Sequence, residues 1–281
     1  MKPTVIRRLR GRLMLFLSSA AAVVGVCFLF AILFSVIRNG IAGLSPELFT
    51  DDAAPPWIEN EGGMRHAFLG QLLLTTVAAI IGIPVGILGG IYLAEYGNGS
   101  RVGRFIGNLA DVAIGIPTII IGTFVYSLLV HPFGGFNGWA GAVALAFIIL
   151  PVIMRTTEES LRLVPWTMRE AAFALGAPYF KVIKDIVFRS GFSGIFTGVS
   201  LAVSRIAGET APLLFTSFNS NYLTADMSGP VPSLTVTVFQ YAGSPYEKWV
   251  LSAWASSLVI TVFILFLNII LKQIIKRRQV L

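Results

Sequence analysis

The sequence holds little with which to do covalent chemistry. Among 281 residues there are one cysteine and two histidines, and charged residues make up only 12%, against ~25% in an ordinary soluble domain. Cys27 lies inside an apolar run and has no second cysteine to pair with, so no internal disulfide can form. His66 and His131 are single and far apart in sequence, and no His-Glu-x-x-His or Cys-x-x-Cys pair accompanies them, which argues against a metal site. No Gly-x-x-x-x-Gly-Lys-Ser/Thr loop occurs, so the chain does not bind and split ATP by that route. The apolar runs contain neither a serine–histidine nor a paired-aspartate arrangement, which speaks against intramembrane proteolysis. There is no repeat of fixed period and no low-complexity tract. The longest polar connection is about 40 residues, below the size of a soluble domain.

What is present is apolar. Residues of types A, V, I, L, M, F, W, Y and C make up 55% of the chain, 28 glycines come on top, and the mean hydropathy is +0.79. A soluble domain of ~300 residues still exposes about a quarter of its unfolded-chain surface, so it could not hide this much apolar area. The composition predicts an all-α, polytopic membrane protein. A crossing helix needs ~20 apolar residues, and charge-poor runs predict six, at about 14–37, 68–94, 112–130, 139–154, 192–215 and 249–271. The run at 13–37 follows Lys2, Arg7, Arg8, Arg10 and Arg12 as a signal peptide would, but its 25 residues exceed the 7–15 of a signal core. It is read as an uncleaved first span. Spans three and four are joined by the breaker-rich turn 131–138.

The formal net charge is +7. In a chain of this composition it sets topology and meets anionic lipid, rather than nucleic acid. Six spans put both termini on one side. That side collects the N-terminal five basic residues, Arg101, Arg104, the six from Arg155 to Arg189 and the four at Lys272, Lys276, Arg277 and Arg278, which is 17 of 21. The other side has Arg38, Arg65 and Lys248. By the excess of Lys and Arg on cytoplasmic loops, both termini are expected inside. The outer loop 38–67 carries Glu47, Asp51, Asp52, Glu59 and Glu61, with a turn through Pro55 and Pro56. In the outer connection 216–248, Leu234 to Phe239 alternate like a strand, although a short re-entrant helix fits as well. Gly82, Gly86, Gly89 and Gly90 in span two favour close helix packing, and Pro117 and Pro151 are expected to bend spans three and four. The chain divides into an N-terminal segment with the first span and outer loop (1–66), a membrane domain (67–272) and a basic tail (273–281).

Two stretches stand out. The first is the inner loop 155–191, which predicts two short helices. Pro165 and Pro178 suit first turns, and Gly176 suits the stop of the first. Tyr179, Val182, Ile183, Ile186 and Val187 form one apolar face of the second, with Lys181, Lys184 and Asp185 opposite. From pattern alone this is either a helix lying on the membrane or a docking element. The second stretch is Ser204-Arg205-Ile206-Ala207-Gly208-Glu209-Thr210-Ala211-Pro212 in span five. A charge at mid-membrane costs ~2.5–3.5 kcal/mol on insertion scales, so it persists where it faces protein or a water-filled path. Arg205 and Glu209, at i and i+4, can pair on one helix face, with Ser204 and Thr210 adding hydroxyls. The pair is either a packing device or part of a transport path, and the guanidinium fork suits a tetrahedral oxyanion without choosing among them.

On these residues the chain resembles the permeases of ATP-binding-cassette (ABC) importers. Glu170-Ala171-Ala172, three residues, Gly176, nine residues and Ile186 are similar to that family's EAA signature, with Phe188-Arg189 where a Leu-Pro often stands. The resemblance implies the type I importer permease fold. It also implies that Glu170, Ala171, Ala172, Gly176 and Ile186 belong to coupling helices seated on a cytoplasmic ATPase. Arg205-x-x-Gly208-Glu209-Thr210-Ala211-Pro212 and the stretch 114–122 are similar to segments of phosphate-specific transport permeases, and the likeness covers about 68–272. The short outer loops resemble the PstA-type subunit more than its longer PstC-type partner.

What this implies is a non-catalytic permease subunit of an ATP-driven phosphate importer in the bacterial inner membrane, without a cofactor of its own. Arg205, Glu209, Ser204 and Thr210 would line the path. The implied partners are a PstC-type second permease, two PstB-type ATPases and a PstS-type outer phosphate-binding protein. Rival readings are an importer of another oxyanion (sulfate, molybdate, phosphonate) and a gradient-driven secondary transporter using Arg205–Glu209 as a relay.

Overall fold

The computed structural model describes residues 2–55, 57 and 62–278. Pro56, Glu59 and Glu61 of the outer loop, and residues 279–281 of the basic tail, lie outside the described residues. Every regular element among those described is helical. In chain order these are α1 (Lys2–Ala42), α2 (Glu47–Thr50), α3 (Arg65–Ile91, continued by a π-helical turn Tyr92–Tyr96), α4 (Arg101–Gly115), α5 (Thr118–Val125, continued by a π turn Tyr126–Val130) and α6 (Gly138–Arg162). Then come α7 (Trp166–Ala174), α8 (Tyr179–Lys181, running through a π segment Val182–Val187), α9 (Phe188–Ile206), α10 (Ala211–Thr216), α11 (Leu234–Ala242) and α12 (Glu247–Arg278).

Five of these are long and apolar enough to cross a membrane: α1, α3 with its π turn, α6, the continuous Tyr179–Ile206 and α12. The expected third span 112–130 is not one helix. Arg101–Gly115 and Thr118–Val130 meet at 106°, and they supply a sixth crossing only if the bent pair is taken as one. The cause is Pro117. Its ring pushes the preceding residue out of helical geometry, and Ile116 is extended at ψ 129°. α4 has three stripes. Gly103, Gly107 and Ala110 face the protein, Arg101, Arg104, Asn108 and Asp111 are polar, and Val102, Phe105, Leu109 and Val112 are exposed and apolar. By contrast α6 passes through Pro151 unbroken.

The centre of the bundle is α6, two-thirds of whose most apolar window is buried. α3 lies on it at near backbone contact. A Cβ at Gly86 would stand 2.9 Å from Ile153 Cβ, and one at Gly90 would stand 2.5 Å from the Met154 carbonyl oxygen, so the glycine spacing in span two is a packing seam. Leu145, Ile149 and Ile153 of α6 fill the core with Leu74, Ala78, Ala202, Ile206 and Leu213. α1 is peripheral. It touches α12 near Gly40 and Gly43, and no residue of its most apolar stretch is buried. The 234–239 segment, whose alternation fits a strand, is helical as α11. Ser233 caps it by accepting from the Val236 amide at 3.4 Å, which satisfies one of the free first-turn donors.

Candidate functional site

The two stretches singled out in the sequence sit at opposite ends of one helix. Tyr179–Ile206 is continuous over 28 residues, about 40 Å at ~1.5 Å per residue. The inner loop is therefore shorter than the expected 155–191. Residues 155–162 belong to α6 and 179–191 to the long helix, which leaves α7 between residues 163 and 178.

α7 begins after Pro165 and α8 after Pro178. Both prolines are cap residues one position outside the helix rather than in its first turn. α7 stops because Gly176 is left-handed, at φ +78°. The Ala177 amide then donates to the Ala172 carbonyl at 3.1 Å and the Gly176 amide to that of Phe173 at 2.9 Å, the paired bonds of a Schellman stop. This gives the Ala–Ala–Gly pattern a physical reason. Ala172 is buried against Leu161, Val164, Val182, Val187 and Ile195, and half-buried Ile186 packs on the same cluster. Glu170, Ala171 and Gly176 face outward. Around them Trp166, Leu175 and Phe180 are exposed, Leu175 at 89%.

Two residues the sequence reading did not single out hold this loop. Arg169, whose side chain is 8% exposed, places Nη2 2.6 Å from Oε1 of Glu95, itself 4% exposed, in the π turn that ends the second span. It also donates to the Val164 carbonyl at 2.7 Å and the Leu161 carbonyl at 3.2 Å, and its guanidinium carbon lies 5.4 Å from the Trp166 ring centroid. The Tyr179 hydroxyl donates to the Glu95 carbonyl at 3.0 Å. The sequence signal was a lone acid, Glu95, just past an apolar run, and no local pattern names its partner 74 positions away. A second cluster braces α4 against α6. Arg155 Nε donates to Asp111 at 2.7 Å, Arg155 Nη1 to Glu158 at 2.6 Å and Arg155 Nη2 to the Gly107 carbonyl at 2.7 Å.

At the far end the expected fifth span 192–215 is interrupted. α9 stops at Ile206, residues 207–210 are non-helical and α10 starts at Ala211. Gly208 weakens the helix there, and Pro212, in the first turn of α10, has no N–H to extend the ladder back. Arg205 is thus the last-turn residue of one helix and Glu209 lies in the break, with Arg205 Nε 3.5 Å from Glu209 Oε1. The pair forms, but not on one helix face. Nor is it buried: the Arg205 side chain is 46% exposed and that of Glu209 17%. Among the described residues, the Arg205 terminal nitrogens make no hydrogen bond. Thr210 is the cap residue of α10, half-buried, with no side-chain cap bond. Ser204 is not brought to this group. It is buried and its hydroxyl reaches Asn268 of α12 at 3.4 Å.

Thr235 reaches the break and links it to Gln71. Thr235 of α11 donates to the Glu209 carbonyl at 2.8 Å and lies 3.4 Å from Oε1 of Gln71 on α3, which is 7% exposed. A freed backbone carbonyl in an apolar setting needs such a donor. Asn219 bridges to Gln240 at 2.7 Å and receives Thr237 at 3.2 Å. Among the described residues, no three His, Cys, Asp or Glu side chains gather as metal ligands would.

The comparisons with known proteins agree with one another. The family model described as "Binding-protein-dependent transport system inner membrane component" matches residues 86–280. The chain is 46% identical over 263 residues to the phosphate transport system permease protein PstA of Pasteurella multocida, covering 94% of this chain and 93% of that one. It is 44% identical to the PstA protein of Yersinia pestis, with 97% and 92% covered, and 32% identical to a probable PstA protein of Methanocaldococcus jannaschii, with 98% and 97% covered. Among solved structures, an inward-facing conformation of the MetNI methionine ABC transporter aligns with TM-score 0.59 at 17% identity, over 75% of this chain and 92% of that one. That likeness shows the fold.

Proposed function

The chain belongs to the binding-protein-dependent transport system inner membrane components, and from that membership we propose the following account of what it does. It is the PstA-type permease subunit of an ABC importer that moves inorganic phosphate inward, as a multi-pass protein of the inner membrane. The relatives named PstA match almost its whole length.

Beyond that role, the parts are assigned as follows. α7 and the Schellman stop at Gly176 form the surface on which a cytoplasmic PstB-type ATPase docks. Glu170 and Ala171 face it, Ala172 and Ile186 anchor it from behind, and Trp166, Leu175 and Phe180 supply apolar contact. Both termini lie in the cytoplasm, on the side that collects most of the lysines and arginines. A PstC-type permease completes the path, and a PstS-type protein delivers phosphate from outside. Arg205, Glu209 and Thr210 line the path. Arg205 offers its fork to the anion, and Glu209 keeps the hold weak enough for the ion to leave. Ser204 steadies the helix end against α12 instead of meeting the ion. The observation that supports this assignment most is the single helix Tyr179–Ile206. It joins the docking loop to the break at Arg205, so a push at one end is delivered at the other. A rigid element moving between two arrangements is how such a switch works.

The test is reconstitution in liposomes of the chain with its co-expressed permease, ATPase and binding protein. ATP-driven uptake of radiolabelled phosphate, competed by unlabelled phosphate and not by sulfate, is the expected outcome. Uptake by the purified chain alone on an ion gradient would contradict the importer reading. Equal competition by sulfate would contradict the phosphate assignment.

A further inference from the structure

We infer that the buried ion pair between Glu95 and Arg169 is the coupling latch of this permease, the positioning contact through which movement of the docking helix α7 is passed to the second span as well as to the fifth. The inference rests on the docking role proposed for α7.

The geometry carries it. α7 is short, at nine residues, and most of its surface is exposed. It is joined to α6 by a three-residue link and to the long helix by a four-residue one. A helix held so lightly would swing on its links when an ATPase pulled on it, and the movement would be lost. Arg169 removes that freedom. One guanidinium reaches three elements: the carbonyls of Leu161 in α6 and Val164 just beyond it, the Trp166 ring at the start of α7, and the Glu95 carboxylate at the end of α3. Lysine could not do this, because a point charge cannot span two carbonyls and a carboxylate in one plane.

Glu95 is fixed as firmly. Tyr179 donates to its backbone carbonyl, and the Tyr179 ring stacks on Phe173 of α7 with centroids 6.1 Å apart. The start of the long helix, the coupling helix and the end of α3 therefore meet at one node. Glu95 itself lies in one π-helical segment, Tyr92–Tyr96, and a second, Val182–Val187, begins three residues after Tyr179. Such turns are rare and gather at functional sites. The surrounding chain contains a second buried-acid cluster at Glu158, but that cluster ties α6 to α4 and leaves α7 untouched.

The test uses the reconstituted complex and measures two rates, ATP hydrolysed and labelled phosphate taken up. Glu95→Gln keeps the shape and one acceptor while removing the charge, and Arg169→Lys keeps the charge and loses the fork. Tyr179→Phe removes the hydroxyl that donates to the Glu95 carbonyl and lies 3.5 Å from Glu95 Oε2, while leaving both charges of the ion pair in place. The expected result is that the ATPase still co-purifies and hydrolyses ATP at close to the wild-type rate. Phosphate moved per ATP should fall about tenfold or more in Glu95→Gln and Arg169→Lys, and two- to threefold in Tyr179→Phe.

An unchanged ratio in all three would overturn the latch. So would hydrolysis and uptake falling in proportion, since that marks lost docking rather than lost coupling. If Glu95→Gln fails to assemble, the ratio in Tyr179→Phe decides. If wild type itself recruits no ATPase, the docking role fails before the latch is reached, and the two failures are thereby told apart.

Discussion

Arg205 and Glu209 face each other across the end of a helix, Nε to Oε1 at 3.5 Å, with Arg205 on the last turn of α9 and Glu209 in the non-helical link that follows. A pair held at that distance, half in the open, is a weak structural tie. The same feature makes it a usable ion contact, because among the described residues the terminal nitrogens of Arg205 make no hydrogen bond.

Thr235 is expected to matter to that contact although it touches no ion. Its hydroxyl satisfies the Glu209 carbonyl left free by the break. Thr235→Val keeps the shape and leaves that carbonyl unpaired, a loss of about 1–3 kcal/mol. The expected outcome is a lower thermal midpoint in detergent and phosphate uptake reduced several-fold, while ATPase co-purification stays normal. Co-purification falling in step with uptake would place Thr235 in general folding instead.

Gly176 is expected to be intolerant of any side chain. A Cβ there meets no neighbour, so the cost comes from the left-handed backbone, about 1–2 kcal/mol. Gly176→Ala should loosen the stop of α7 and weaken ATPase capture, measured as ATPase retained on the affinity-purified permease. Full retention with normal uptake would show that the stop is not needed for docking.

Gly90 tests packing alone. A Cβ would stand 2.5 Å from both the Met154 carbonyl oxygen and Thr157 Cβ, and overpacking of that kind costs about 1–3 kcal/mol even where the core gives way. Gly90→Val should sharply reduce the amount of chain in the membrane, read by immunoblot, whereas Gly25→Ala, inside helix α1 at a position with nothing near it, should leave it close to wild type.

The outer loop gives a pH prediction. The guanidinium of Arg65 holds the Asp52 carboxyl below its usual range by hydrogen bonding and charge. A carboxyl whose folded pKa is depressed adds stability above its unfolded value, near 4, and loses that contribution as pH falls through the folded one. Asp52→Asn should therefore melt slightly lower than wild type at pH 7, and the gap should close as pH drops below about 4. The effect is small because both partners are more than a third exposed. A gap that widens with acid would contradict the assignment.

How far the sequence reaches is visible at particular residues. Apolar runs located the crossing segments, because burial in lipid demands them. They did not locate the ends, because hydropathy is blind to where a hydrogen-bond ladder stops. Span five reads as one apolar run from 192 to 215 although α9 ends at Ile206 and α10 starts only at Ala211, and span three reads as bent at Pro117 although the chain turns through 106° there. The apolar face of Tyr179, Val182, Ile183, Ile186 and Val187 was legible from its period. That it runs without pause into α9 was not, because Lys181, Lys184 and Arg189 make the stretch look like a loop. The Arg205–Glu209 pair followed from its spacing, for a reason the break replaces. Glu95 and Arg169 were out of reach, since nothing local joins residues so far apart in the chain.

The measurement that bears most directly on the account is radiolabelled phosphate uptake by whole cells carrying Arg205→Ala, Glu209→Ala or both, with the amount of chain in the membrane and the bound ATPase held equal to wild type. The account predicts at least a tenfold loss for Arg205→Ala, a loss for Glu209→Ala, and a double variant no worse than the Arg205 change alone. Uptake at the wild-type rate in all three would contradict a path through the break and leave the pair as a packing contact.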